Sequence, residues 1–183
     1  MKELRVLLIT ASIRKGRQTP KVSHIIEQKL SEQSGIQLQH LDLLDLNLPI
    51  FTDEDPLGNA VTLLDAYKEA DGIIIVTPEY NHSLPSVLKN AIDYARAREL
   101  SGVPVAGVGV SEGSWGGVRV LKELAYVWQG VGGISLPVSL PTPDVEAFDS
   151  ENPPADWSKR ADYFLEKTIY WFRVIRDGKE ANT

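Results

Sequence analysis

The chain predicts an α/β fold in which a parallel sheet is covered by helices on both faces, and three observations predict it. Short strand candidates recur at residues 4–9 (LRVLLI), 37–41, 73–76 (IIIV), 105–110 (VAGVGV) and 134–140. The most uniform of them are too short for an amphipathic helix and too apolar for a strand with one wet face. Between them lie stretches of helical period, such as Val22, Ile25, Ile26 and Leu30, or Val87, Leu88, Ala91, Ile92 and Ala95. Polar, turn-forming residues stand where strands would leave the sheet, at 10–19, 77–83 and 111–117. Strands that alternate with helices imply parallel pairing through right-handed crossovers.

Taken in order, the first strand begins almost at residue 1 and gives way to TASIRKGRQT, after which Pro20 opens a helix reaching Leu30. Residues 37–41 make the next strand, and 42–55 (DLLDLNLPIFTDED) read as a long loop broken by Pro49. Leu43, Leu46, Leu48, Ile50 and Phe51 are expected to pack beneath that loop, and Asp53, Glu54 and Asp55 to be a solvated acidic run rather than a metal cluster. A short helix over 61–70, with Leu64 and Tyr67 inward, leads to the β-branched run Ile73 to Val76, the expected middle of the sheet. Pro85 suits the first turn of the next helix, which is expected to end near Leu100. Glycines in the strand 105–110 allow its neighbours to approach closely. Val118, Leu121, Leu124, Ala125 and Trp128 form the stripe of a further helix, ended by Gly132 and Gly133. The last strand leaves through Pro141 and Pro143 into an acidic segment, 144–154, with little secondary-structure signal. A final helix over 157–176 packs through Ala161, Phe164, Leu165, Ile169 and Phe172, and 177–183 is expected to fray.

At 183 residues and 43% hydrophobic content, the chain suits a single domain spanning 1–183. Its formal charge of -6 argues against nucleic-acid or acidic-membrane partners, which select a basic face. The absence of cysteine excludes disulfides, thiolate metal sites and thiol nucleophiles. No apolar run approaches membrane-spanning length, so a cytoplasmic protein with no metal is expected.

The chemistry lies in three loops. In the first, Ser12, Arg14, Arg17, Gln18 and Thr19 precede a helix whose N-terminal N–H groups and dipole favour an anion, and arginine forks can grip a dianion. Read blandly, the same Ser and Thr only cap a helix. The Walker pattern and G-x-G-x-x-G are both missing, which points from ATP and dinucleotides toward a mononucleotide. The second loop offers Pro78, Glu79, Tyr80 and Asn81 at the edge where open α/β sheets bind ligands. The third, Ser111 to Gly117, has Gly113, Gly116 and Gly117 to bring backbone near a ligand and Trp115 as an aromatic face, or else glycines for a tight turn. With strand order 2-1-3-4-5, as in flavodoxin-like sheets, all three loops converge on one rim. A phosphate at one end and a flat heterocycle at the other describe FMN.

The segment TPEYNHSLPSVLKNAIDY closely resembles the P-E-Y-N loop and following helix of the NADPH-dependent FMN reductases, a flavodoxin-like family that includes quinone, azo-dye and chromate reductases. Thr10 to Thr19 resembles that family's phosphate loop, G-S-x-R-x-x-S-x-N: Ser12 and Arg14 match, while Ala11, Arg17 and Thr19 replace Gly, Ser and Asn. Ser111, Gly113, Gly116, Gly117 and Arg119 resemble its S-x-G-x-x-G-G-x-R turn, and the likeness spans residues 4 to about 140. The resemblance implies FMN bound by these loops, NADPH or NADH as hydride donor, and a small acceptor such as a quinone, azo compound, chromate or free flavin. It also implies a homodimer or dimer of dimers using the helix after P-E-Y-N, with Lys89 and Tyr94 toward the partner. The flavin carries the redox chemistry in such enzymes, so no catalytic side chain is expected, and His82 reads as a surface hydrogen-bonding group.

Three rivals keep the fold and change the role. A flavodoxin-type carrier would hold FMN without turning over a nicotinamide. A phospho-receiver needs an acidic cluster at the first and third strand ends, where this chain has Thr10, Ala11, Thr77 and Pro78. A flavin-free scaffold would leave added FMN fully fluorescent.

Overall fold

A computed structural model describes residues 2–52, 58–95 and 97–181. Five parallel strands lie in the order β2-β1-β3-β4-β5: β1 (Leu4–Thr10), β2 (Ile36–Asp42), β3 (Gly72–Pro78), β4 (Pro104–Val110) and β5 (Ile134–Thr142). The central β3 is buried at every position, as its unbroken apolar run requires, while the edge strand β2 alternates between half-buried and exposed up to His40 and stays half-buried to its end. One apolar cluster lies on each face of the sheet. The first joins Leu7, Ile9, Ile73 and Ile75 to α3 (Asn59–Glu69), α4 (Ser86–Tyr94) and α6 (Val118–Gly130). The second joins Leu8, Ile74, Val76 and Val108 to α1 (Thr19–Ser31) and α7 (Ala155–Glu180).

The expected strands and helices are present, and the boundaries differ for physical reasons. Residues 42–55 do not begin as a loop: Asp42 caps a four-residue helix, α2 (Leu43–Leu46), by accepting the Leu44 N–H at 2.9 Å. Leu43 and Leu46 are buried as expected, but Ile50 is 85% exposed and Phe51 only touches the Tyr94 ring edge. The run Asp53, Glu54 and Asp55 lies outside the described residues. The helix after residue 85 stops at Tyr94, and a separate short helix, α5 (Ala97–Leu100), follows. At the other end, α7 continues through the stretch expected to fray, up to Glu180. Its docking needs Gly72, where a Cβ would lie 2.3 Å from the Phe172 ring. None of the described helices is long and apolar enough to cross a membrane.

Candidate cofactor site

The loops after β1, β3 and β4 meet at the carboxyl end of the sheet around a cleft of about 550 Å³, within the range of small-molecule sites. They meet because the strands that feed them are adjacent and because backbone hydrogen bonds stitch the exits together. Ala11 N–H donates to Val76 O at 2.9 Å, Glu79 N–H to Val110 O at 3.1 Å, and Ser111 N–H to Thr142 O at 3.1 Å. Arg14, Gln18 and Thr19 line the cleft from the first loop, Pro78, Glu79, Tyr80 and Asn81 from the second, and Ser111 and Gly113 from the third.

At the first loop, α1 starts without a side-chain cap and without an acid in its first turn, so its dipole favours an anion there, while Pro20 has no N–H and the Lys21 N–H donates to Gln18 O at 3.1 Å. Ser12 is fully buried and its Oγ has no partner, and Gln18 Oε1 is also unpaired. A phosphate oxygen at this place would satisfy the serine hydroxyl, so the donor set fits that group. Arg14 reaches across the cleft, with its guanidinium carbon 5.7 Å from the Tyr80 ring centre and Nη2 2.9 Å from the Glu112 carboxylate.

Arg17 stands apart from the cleft lining. Its Nη1 donates to Ser12 O and to Asp42 Oδ1, both at 2.5 Å, and both partners are largely buried, so it clamps the loop from behind. A spare arginine in the sequence looks like a phosphate ligand, and Asp42, twenty-five residues away, is what claims it.

The second loop is a two-residue hairpin. Tyr80 and Ser83 exchange backbone hydrogen bonds of 3.2 and 3.0 Å, with φ of 50° at Asn81 and 66° at His82, the positive values of a type I′ turn. Two carboxylates pin it to α6. Glu79 accepts from the backbone N–H groups of Arg119 (3.0 Å) and Val120 (3.3 Å) and from the Arg119 guanidinium. Glu123 accepts from the Ser83 hydroxyl and the Leu84 N–H, each at 2.9 Å. Burial pushes the Glu79 carboxyl up, but the bonds from Val120, Arg119 and His82 outweigh it and hold the group below the usual carboxylate range. His82 is an exposed side chain 3.5 Å from Glu79.

In the third loop, Gly116 and Gly117 face the sheet instead of the cleft. A Cβ on Gly109 of β4 would meet the carbonyl oxygens of both at 2.8 Å, and one on Gly116 would meet Thr142 N at 2.8 Å. Trp115 is 66% exposed, under the Arg119 guanidinium and outside the cleft lining. Three lining residues are not among those expected from the sequence: Val110, at the end of β4, Glu112 and Val145. Glu112 sat unremarked within a recognised loop, and Val145 belongs to a segment set aside for lack of signal, which a Val145 N–H to Ser111 O bond of 3.2 Å draws to the rim. Among the described residues no group of three or more His, Cys, Asp or Glu could hold a metal.

Comparison with known proteins gives the same picture. Residues 4–144 match the family NADPH-dependent FMN reductase. The chain is 37% identical over 98 residues to the NADH:(hydroxy)cinnamate reductase subunit CrdA of Vibrio ruber, covering 52% of this chain and 48% of that subunit, so it spans about half of that relative's length. It is 31% identical over 135 residues to a quinone reductase of Escherichia coli, covering 68% of this chain and 69% of the relative. The solved structure of FerB, a flavoenzyme NAD(P)H:(acceptor) oxidoreductase of Paracoccus denitrificans, superposes with a TM-score of 0.77 at 27% identity, over 93% of this chain and 97% of that one. The chain belongs to the NADPH-dependent FMN reductase family, whose enzymes use FMN with a nicotinamide as electron donor.

Proposed function

We propose that the chain, acting as one domain, passes reducing equivalents from NADPH or NADH to a small planar acceptor, with quinones first among the candidates, while FMN occupies the cleft. The observation that carries this reading is the closeness of Arg14 to Tyr80, 5.7 Å from guanidinium to ring, which joins the anion end of the site to its flat end. Ser12, Arg14, Gln18, Thr19 and the first turn of α1 would hold the phosphate. Pro78, Tyr80, Asn81 and the backbone of Ser111 to Gly113 would flank the ring, and the locked hairpin would fix its orientation. Glu79 lines the cleft while it anchors the hairpin, and Arg17, Trp115, Gly116 and Gly117, which stand outside the lining, would support these loops. When bound, the flavin supplies hydride acceptance and donation, and the protein supplies position and electrostatics.

The E. coli relative's quinone activity supports the choice of acceptor class. The assembly belongs to the same proposal: a homodimer built on α4. Lys89 on its exposed face pairs with Asp93, and Ile50 stands exposed beside Asn90, which accepts the Phe51 N–H. Tyr94, in contrast, turns inward and donates to Pro49 O at 3.1 Å. The test is a titration of the purified protein with FMN and with riboflavin, followed by NADPH and NADH oxidation with a quinone, an azo dye and chromate. Tighter binding of FMN than riboflavin, with turnover of at least one acceptor, is expected. Equal affinity for the two flavins would remove the phosphate site, and flavin binding without nicotinamide oxidation would make the protein a carrier.

A further inference from the structure

The outward face of α7 carries a feature that the cofactor site does not explain. Its 26 residues pack inward through Trp157, Ala161, Phe164, Leu165, Ile169 and Phe172. Along the centre of the opposite face lie Tyr163 (60% exposed), Lys167, Tyr170 (58%) and Val174 (44%). Their spacing of four, three and four residues is the a/d seam of a coiled coil, whose repeat places a continuous stripe on one side of a helix. Large aromatic rings at this exposure are poor choices for a solvated face, and Lys167 already lies 5.4 Å from the centre of the Tyr163 ring.

We infer that α7 pairs in antiparallel fashion with α7 of a second copy of this chain. The argument is charge complementarity about a two-fold axis between Lys167 and Tyr170. Antiparallel pairing about that point sets Tyr163 against Val174 of the partner subunit and Lys167 against Tyr170 of the partner subunit. At the end of the seam, Arg160 meets Asp177 of the partner subunit. The flanking row Lys159, Glu166, Arg173 and Glu180 alternates in sign with a period of seven. Turned against itself, it brings Glu166 to Arg173 of the partner subunit and Lys159 to Glu180 of the partner subunit, with no like charges opposed. Parallel pairing would instead set the seam charges Arg160, Lys167 and Asp177 each against its own copy, so the seam selects the antiparallel orientation. Within one copy Glu166 pairs with Lys167, Asp177 with Arg176 and Glu180 with Lys2, and Arg160 donates to Pro141 O at 3.4 Å. From Arg160 to Asp177 the seam runs about 26 Å at 1.5 Å per residue. The surface lies away from α4, so it makes a contact independent of the homodimer proposed above.

Two charge reversals test the pairing. Glu166→Arg opposes arginine to arginine twice per contact, and Arg173→Glu opposes glutamate to glutamate twice. Each protein alone is expected to assemble into half the number of copies seen for the wild type by sedimentation equilibrium, with the dissociation constant of this contact raised at least about tenfold. Mixed together, the two single variants form two Arg–Glu pairs per contact, and the wild-type mass is expected to return. That recovery cannot come from misfolded protein. A wild-type mass shared by both separate variants overturns the inference, as does failure of the mixture to recover.

Discussion

Glu79 reaches from the loop after β3 to the N-terminus of α6, where it accepts the backbone N–H groups of Arg119 and Val120 and the Arg119 guanidinium. The glutamate of the P-E-Y-N sequence therefore holds the first turn of α6, while it and its neighbours Tyr80 and Asn81 line the cleft. Glu79→Gln keeps the shape and loses the charge, and is expected to cost about 1–2 kcal/mol at neutral pH, the difference between charged and neutral hydrogen bonding. Because the folded carboxyl is held below its ordinary value of 4.5, its stabilisation is complete above that pH and is lost as the pH falls through the lower folded-state value. Melting curves of wild type and variant should differ at pH 7 and converge in acid. A gap that does not narrow as the pH falls below 4.5 would mean that the charge is not its source.

Arg14 and Glu112 form a pair across the cleft in which both side chains are more than half exposed, so the pair itself contributes at most about 1 kcal/mol. A phosphate entering the site would compete with the Glu112 carboxylate for the same guanidinium. Arg14→Ala is expected to weaken FMN binding by about 1.5–3 kcal/mol, the range for a charge-assisted hydrogen bond. Glu112→Gln is expected to tighten it by up to about 1 kcal/mol. Fluorescence titration reads both, and in the Arg14→Ala background the Glu112 change should lose its effect.

The positions most legible in the sequence were those where a local rule and the tertiary fold agree. Ile73 to Val76 reads as a covered strand and the polar residues after it as a loop at the sheet's carboxyl end; β3 runs on through Thr77 and Pro78, and Glu79 to Asn81 follow it at the cleft. What Arg17 and Glu79 bind within the chain could not be read, because Asp42 and α6 are distant from them in sequence. A charged residue in a loop announces that it needs a partner without saying whether that partner is ligand or protein. Gly116 and Gly117 were ambiguous for a related reason: glycine marks close approach, and here the approaching group is the backbone of β4 and β5.

Arg17 and Asp42 should therefore behave as a unit that shapes the phosphate loop. Arg17→Ala and Asp42→Asn are each expected to destabilise the chain by about 1–2 kcal/mol, since each leaves the other's charge largely buried with fewer partners. The double variant is expected to cost less than the sum. Denaturant unfolding of the four proteins measures the coupling, and strict additivity would show that the two side chains act separately.

The turn at the third loop depends on a close backbone crossing that no side chain can enter. Adding a methyl group at Gly109 would bring it within 2.8 Å of the carbonyl oxygens of Gly116 and Gly117, which are backbone atoms with no rotamer to change. Gly109→Ala is expected to destabilise the fold by about 2–3 kcal/mol through overpacking. It should also weaken FMN binding, because the displaced turn carries Ser111 and Gly113 with it. Gly113→Ala is the control. A Cβ there meets nothing within 4 Å, so stability should change by less than about 0.5 kcal/mol. Comparable losses of stability from the two substitutions would show that the crossing at Gly109 is not what holds the turn.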